Sequence, residues 1–190
     1  MNKEFPAVKQ LEAELSRVES RREFRKVILS TISSLIVVAA AAVLVSTLFM
    51  PVLRVTGTSM APTLMNDQLV VCRKTGNFKR GDIVAFYYNN KILLKRVIGV
   101  SGDYINIDEN GNVFVNDKQL DEPYLTEKAF GECNIELPYQ VPDERIFVMG
   151  DNRSTSIDSR SSAVGCVSEE SVVGKVSLRI WPIKEIGFFN

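Results

Sequence analysis

The chain has 190 residues, of which 23 are basic and 23 acidic, and it contains no histidine. That length holds one modest domain, and a net formal charge of zero speaks against a nucleic-acid binder, which would carry a basic excess. The missing histidine removes the Ser-His-Asp triad, the Cys-His dyad and the His-Glu-x-x-His zinc site together.

Residues 1–26 are charged and mixed. Val8, Leu11, Leu15 and Val18 recur at the spacing of one helical face, which predicts a helix leading toward a membrane; a solvated tail fits the same stretch nearly as well. Residues 17–26, "RVESRREFRK", are locally basic. Residues 27–53 follow without a single charge. A bilayer core needs about 20 apolar residues in a helix, so this run is expected to be transmembrane. Arg21, Arg22, Arg25 and Lys26 precede it and only Arg54 closely follows. The positive-inside rule then places residues 1–26 in the cytoplasm and residues 54–190 outside it. A cleaved secretory signal competes, since "AAAAVLVS" contains Ala-x-Ala patterns. The charged leader and the apolar run are both long for such a signal, which favours an uncleaved signal-anchor.

Beyond residue 53 the texture changes to short strands. "DQLVVCRK" predicts one. "GDIVAFYYNNKILLKRVIGV" predicts a hairpin turning at Asn89-Asn90. "DYINIDENGNVFVNDKQL" predicts a second, with Asn110-Gly111 as its turn. "RIFVMGDN" and "VVGKVSLRIWPI" supply two more strands. No long helical pattern interrupts them, so the fold class expected is mainly β: an antiparallel sheet domain, with residues 104–145 as a smaller β insertion. Cys72, Cys133 and Cys166 match no metal spacing. They read as small buried apolar residues, with one disulfide possible in an outward-facing domain. No phosphate-binding glycine loop is present, and nothing in the chain calls for a metal or cofactor.

Chemistry centres on "TGTSMAPTL", residues 56–64. Ser59 is either a nucleophile or a hydroxyl in a turn. A serine nucleophile needs a proton acceptor, which without histidine must be a carboxylate or a neutral lysine. An exposed lysine, with a pKa near 10.4, is a poor base at neutral pH, but burial disfavours its charged form. Lys95 in "ILLKRVIG" has such a setting: as a strand residue it shares a face with Leu93 and Val97 while Arg96 faces the other way. By pattern alone, a lysine reaching to water is still the stronger reading. "GDNRSTSIDSR", residues 150–160, is either a polar surface turn or a loop that orients a base.

Four stretches in this order, "GTSMAPTL", "RGDIVAF", "KRVIGVSGD" and "GDNRSTSIDSR", resemble the bacterial type I signal peptidase (leader peptidase) family of the Gram-positive kind, over about residues 27–181. The resemblance implies a Ser-Lys endopeptidase acting on secretory preproteins at Ala-x-Ala-type sites, in the cell membrane with a single span. It implies Ser59 as nucleophile and Lys95 as general base, with Ser156 hydrogen-bonding Lys95. Asp158 and Arg160 would be a supporting pair, and Gly150, Asp151, Asn152, Arg153 and Ser159 would complete that loop. Met60 and Pro62 would shape the turn after the nucleophile, and Ile83 and Val84 would line the edge where an extended substrate pairs. The Ser59 N–H would be one oxyanion donor. Some family members place a serine donor two residues earlier, where this chain has Gly57; a water, a backbone N–H or the Thr58 hydroxyl are the alternatives. Ser59 lies six residues past Leu53, and a chain reaches at most about 3.6 Å per residue, so it stays near the membrane surface. Phe49, Met50, Trp181, Phe188 and Phe189 are candidates for lipid contact, with core packing an equal reading of Trp181. The expected partners are preproteins and the lipid bilayer, with no nucleic acid. A self-cleaving Ser-Lys repressor would need a DNA-binding domain where this chain has an apolar run. A membrane-anchored β domain that binds exported peptides without cutting them is the non-enzymatic alternative.

Overall fold

The computed structural model describes residues 8–189. It divides into two compact units, residues 1–46 and 47–190.

The first unit consists of most of one helix, α1 (Val8–Phe49). The leader therefore continues into the apolar run as a single helix. Its stretch Glu12–Ser46 is long and apolar enough to cross a membrane, with a mean hydropathy of 2.5 in its most apolar window. Within it the Thr31 hydroxyl donates to the Val27 carbonyl (2.9 Å) and the Ser46 hydroxyl to the Val43 carbonyl (3.0 Å). Such internal bonds satisfy hydroxyls where no water is available. The helix stops before residue 53. Pro51 disfavours helical backbone in the residue before it and offers no N–H, and Val52–Arg54 is already the first strand, β1.

The second unit is built on an antiparallel sheet of β1, β2 (Leu69–Arg73), β3 (Ile83–Tyr88), β4 (Lys91–Gly99), β9 (Arg145–Met149), β10 (Val167–Ser168), β11 (Val172–Trp181) and β12 (Gly187–Phe188). Its order is β1-β2-β11-β3-β4-β9-β10, with β12 on β11. A second sheet, in the order β7-β6-β5-β8, is formed by β5 (Tyr104–Ile107), β6 (Val113–Val115), β7 (Lys118–Gln119) and β8 (Tyr139–Gln140). It does not stand apart: Ile105, Ile107, Val113 and Val115 share one core with Ile98, Phe147 and Met149 of the main sheet.

The β3–β4 hairpin turns at Asn89 and Asn90, both with positive φ (44° and 60°), which is the two-residue turn that matches strand twist. The β5–β6 hairpin turns at Asn110-Gly111 as expected, with Gly111 at φ 77°. The Asp108 carboxylate accepts the N–H groups of Asn110 and Asn112, so the connection becomes a wider loop over residues 108–112. A tight two-residue turn follows at Asn116-Asp117 (φ 52° and 63°), joining β6 to β7. Cys72, Cys133 and Cys166 are free thiols; burial pushes the Cys72 thiol up to about 12.

Candidate active site

Ser59 sits in a turn between β1 and β2. The Ala61 N–H donates to the Thr58 carbonyl (3.0 Å) and the Leu64 N–H to the Met60 carbonyl (2.9 Å). Gly57 enters this turn at φ +88°, a conformation that strains any residue with a Cβ, and its N–H donates to Asn66 Oδ1 (2.9 Å). A serine at this position would need strained backbone, and the Gly57 N–H is already committed. The Ser59 N–H has no partner among the described residues.

Lys95 lies in mid-β4, opposite the fully buried Val84 of β3. Its Nζ is 2.7 Å from Ser59 Oγ, and the residue is only 2% exposed. Burial holds its pKa below the ordinary 10.5; Asp158 pulls it upward, Arg160 adds to the lowering and Asp151 opposes it. Loss of hydration is the leading cause because a buried ammonium forfeits its water shell.

The loop after β9 closes the site from behind. The Asn152 N–H donates to the Ser59 carbonyl (3.0 Å). Gly150 is required by crowding: a Cβ there would lie 2.2 Å from Ser156 Oγ and 2.5 Å from the Ser59 carbonyl oxygen. Asp158 and Arg160 form a fully buried pair (2.9 Å). Asp158 also accepts the Gly150 N–H (2.9 Å), and Arg160 donates to the carbonyls of Arg153 (2.9 Å) and Phe130 (2.7 Å). Ser159 Oγ accepts the Val148 N–H. The expected hydrogen bond from Ser156 to Lys95 is not made. Ser156 Oγ is buried against Gly150 and is the one buried side-chain N or O atom among the described residues with no partner.

Thr63, Arg96, Glu122 and Tyr124 also support the site, unpredicted by the sequence patterns. Arg96 clamps Asp151 through both carboxylate oxygens (2.8 and 2.6 Å), and Thr63 donates to the same carboxylate. The Tyr124 ring lies 3.8 Å under the Arg96 guanidinium, and Arg153 pairs with the buried Glu122. One signal for Arg96 was available: two adjacent bases in an otherwise apolar strand place a cation on each face, and each must find a partner when buried.

A groove of about 470 Å³ runs past Ser59 and Met60, between residues 53–57 and residues 90–94. Both walls carry free strand edge. β1 ends its sheet, and β4 pairs with β9 only from Arg96 onward. Ile83 and Val84 do not line this edge, contrary to expectation. β3 lies inside the sheet between β11 and β4, and both residues are buried. Ile83 instead packs behind Met60 and Val55, in the core that floors the groove.

The site thus brings the Ser59 hydroxyl beside the desolvated Lys95 amine in a groove with open strand edges. Residues 28–181 match the family model described as signal peptidase, peptidase S26. Signal peptidase I U of Bacillus subtilis (strain 168) is 35% identical over 174 residues, covering 85% of this chain and 92% of its own. Signal peptidase IB of Staphylococcus aureus (strain MRSA252) is 38% identical over 155 residues, covering 70% of this chain and 80% of its own. A crystal structure of a signal peptidase I from Enterococcus faecalis V583 aligns at 30% identity over 53% of this chain and 97% of that one, with a TM-score of 0.46. The chain belongs to the S26 signal peptidase family and is a serine peptidase.

Gly150→Ala is expected to displace the Ser59 carbonyl and the Ser156 side chain. A shift of about 1 Å in a reacting group costs on the order of 100-fold in rate, so peptide hydrolysis should fall by about that factor. Activity equal to the parent would show that this close approach is not needed.

Proposed function

We propose that this chain is a membrane-anchored endopeptidase that removes signal peptides from secreted preproteins at Ala-x-Ala-type sites, with Ser59 as nucleophile and Lys95 as general base. The observation that carries this reading is the 2.7 Å approach of Ser59 Oγ to the buried Lys95 Nζ.

In this mechanism neutral Lys95 takes the Ser59 proton as Oγ attacks the scissile carbonyl carbon. The protonated amine then gives that proton to the departing amine of the mature chain, leaving an acyl-enzyme. Lys95 next takes a proton from water, the hydroxide attacks the ester, and the proton returns to Ser59. The free Ser59 N–H is a donor for the developing oxyanion. With the Gly57 N–H bound to Asn66, the exposed Thr58 hydroxyl or a water supplies the second. Ser156 Oγ, unpartnered at rest, is available to accept from Lys95 while that amine carries charge.

The substrate lies in the groove as an added strand, bonded by backbone to the free edges of β1 and β4. The floor of Val55 and Met60 belongs to the core, so the subsites are shallow and favour small side chains. Residues 27–53 hold the chain in the cell membrane as a single signal-anchor, its end and β1 excepted from the helix. Residues 1–26 lie in the cytoplasm and the β unit of residues 54–190 outside it. Trp181, half exposed, and the more exposed Phe188 and Phe49 face lipid headgroups in this arrangement, whereas Phe189 packs on the core.

The protein in proteoliposomes, given a preprotein with an Ala-x-Ala site, should process it. Ser59→Ala and Lys95→Ala should each lower the rate by roughly 1,000-fold or more; processing by either variant at the parental rate would refute the dyad. Activity needs the neutral amine, so the parental rate should climb with pH and level off above a pKa lower than 10.5. Trp181 is the only tryptophan, which makes it a built-in reporter of lipid contact. Brominated lipids should quench its fluorescence, and quenching by aqueous acrylamide alone would place it in water.

A further inference from the structure

A second pocket, of about 350 Å³, lies across the Ser59 turn from the groove. Gly57, Ser59 and Met60 line the first cavity, whereas Ala61 and Pro62 line the second. Met65, Thr126, Glu127, Asn152 and Ser154 are also in its lining. It is joined to the catalytic turn directly, since the Asn152 N–H donates to the Ser59 carbonyl.

We propose that this pocket receives the first residues of the mature chain, on the far side of the scissile bond, and that Glu127 makes it discriminate against acidic residues there. The inference rests on the proposed function. Direction follows from the walls. The groove has the free edges of β1 and β4 and a floor of Val55 and Met60, the shallow apolar setting that suits the small residues before the cut. Residues before the cut then fill the groove, and those after it continue past Ser59 into the second pocket.

The pocket is also built in advance. Arg160 holds the carbonyl of Phe130, next to the wall residue Ala129 (2.7 Å), and Arg96 fixes Asp151. Arg153, another lining residue, is pinned to Glu122. Walls tied by buried cations need little ordering when a peptide enters. These same pairs cancel charge. Asp151 is matched by Arg96 and Arg153 by Glu122, whereas Glu127 is exposed and has no ion-pair partner among the described residues. One uncompensated negative charge is left facing the departing chain, whose new α-amino group is itself largely protonated near neutral pH.

The test uses the full chain in detergent micelles and two otherwise identical signal-site peptides, with Lys or Glu at the second position after the cut. Because both are measured on the same enzyme, any loss of folded protein cancels from their ratio. The parent should prefer the Lys peptide by roughly fivefold in kcat/KM, the scale of one partly screened ion pair. Glu127→Gln should bring the ratio near one, and Glu127→Lys should invert it. Lys128→Glu reverses a nearby charge that instead binds Asn112 (2.9 Å) and should leave the ratio as in the parent. A parental ratio of one, a ratio unmoved in Glu127→Lys, or an equal response to Lys128→Glu would overturn the assignment while Ser59-dependent cleavage left the proposed function standing. Cleavage that persists in Ser59→Ala would overturn that reading and this one together.

Discussion

Everything proposed for this chain depends on taking water away from one amine. Lysine holds its proton tightly in water, and only an unprotonated amine accepts one from serine. No histidine is available to do the work instead. The protein surrounds Lys95 with sheet and loop until it is 2% exposed, and desolvation is the leading cause of its lowered pKa. Much of the remaining architecture keeps that enclosure closed while leaving Ser59 open to the groove.

Enclosing an amine brings charges near it, and these are handled in pairs. Asp158 and Asp151 would each favour the ammonium form, yet Asp158 is matched by Arg160 and Asp151 by Arg96. Buried pairs of this kind give little net stability, but losing one partner costs about 3–5 kcal/mol. Their value here is geometric. Through Gly150, Arg153 and Phe130 they fix the loop whose Asn152 N–H holds the Ser59 carbonyl. The connection from β7 to β8 takes part through Glu122, Tyr124 and Phe130. The apolar faces of the two sheets meet in a shared core as well.

Sequence legibility followed the range of the interaction. The apolar run, the strands and the turn at Asn89-Asn90 are local, and each could be read from composition or period. Ser59 and Lys95 were visible as candidates, but pattern alone left Lys95 as an ordinary strand lysine; the four family-like blocks singled it out. Thr63, Glu122 and Tyr124 carried no local signal, because their partners lie far along the chain. Ile83 and Val84 were misplaced for a related reason: an apolar strand looks the same whether it is interior or beside an open edge, and only the strand order put β3 inside. At Asn110-Gly111 the hairpin turns where the dipeptide puts it, and what the dipeptide did not show is the width: the Asp108 carboxylate gathers the N–H groups of a loop over residues 108–112.

The most direct test of the central claim observes the amine itself. With ¹⁵N- and ¹³C-labelled lysine in the micelle-bound protein, the Lys95 Nζ and Cε resonances can be assigned by their loss in Lys95→Arg and then followed with pH. The account predicts a midpoint clearly below 10.5, separated from those of the exposed lysines. A Lys95 that titrates together with those lysines would show that burial does not free the amine of its proton, and the base assigned to Ser59 would have to be abandoned.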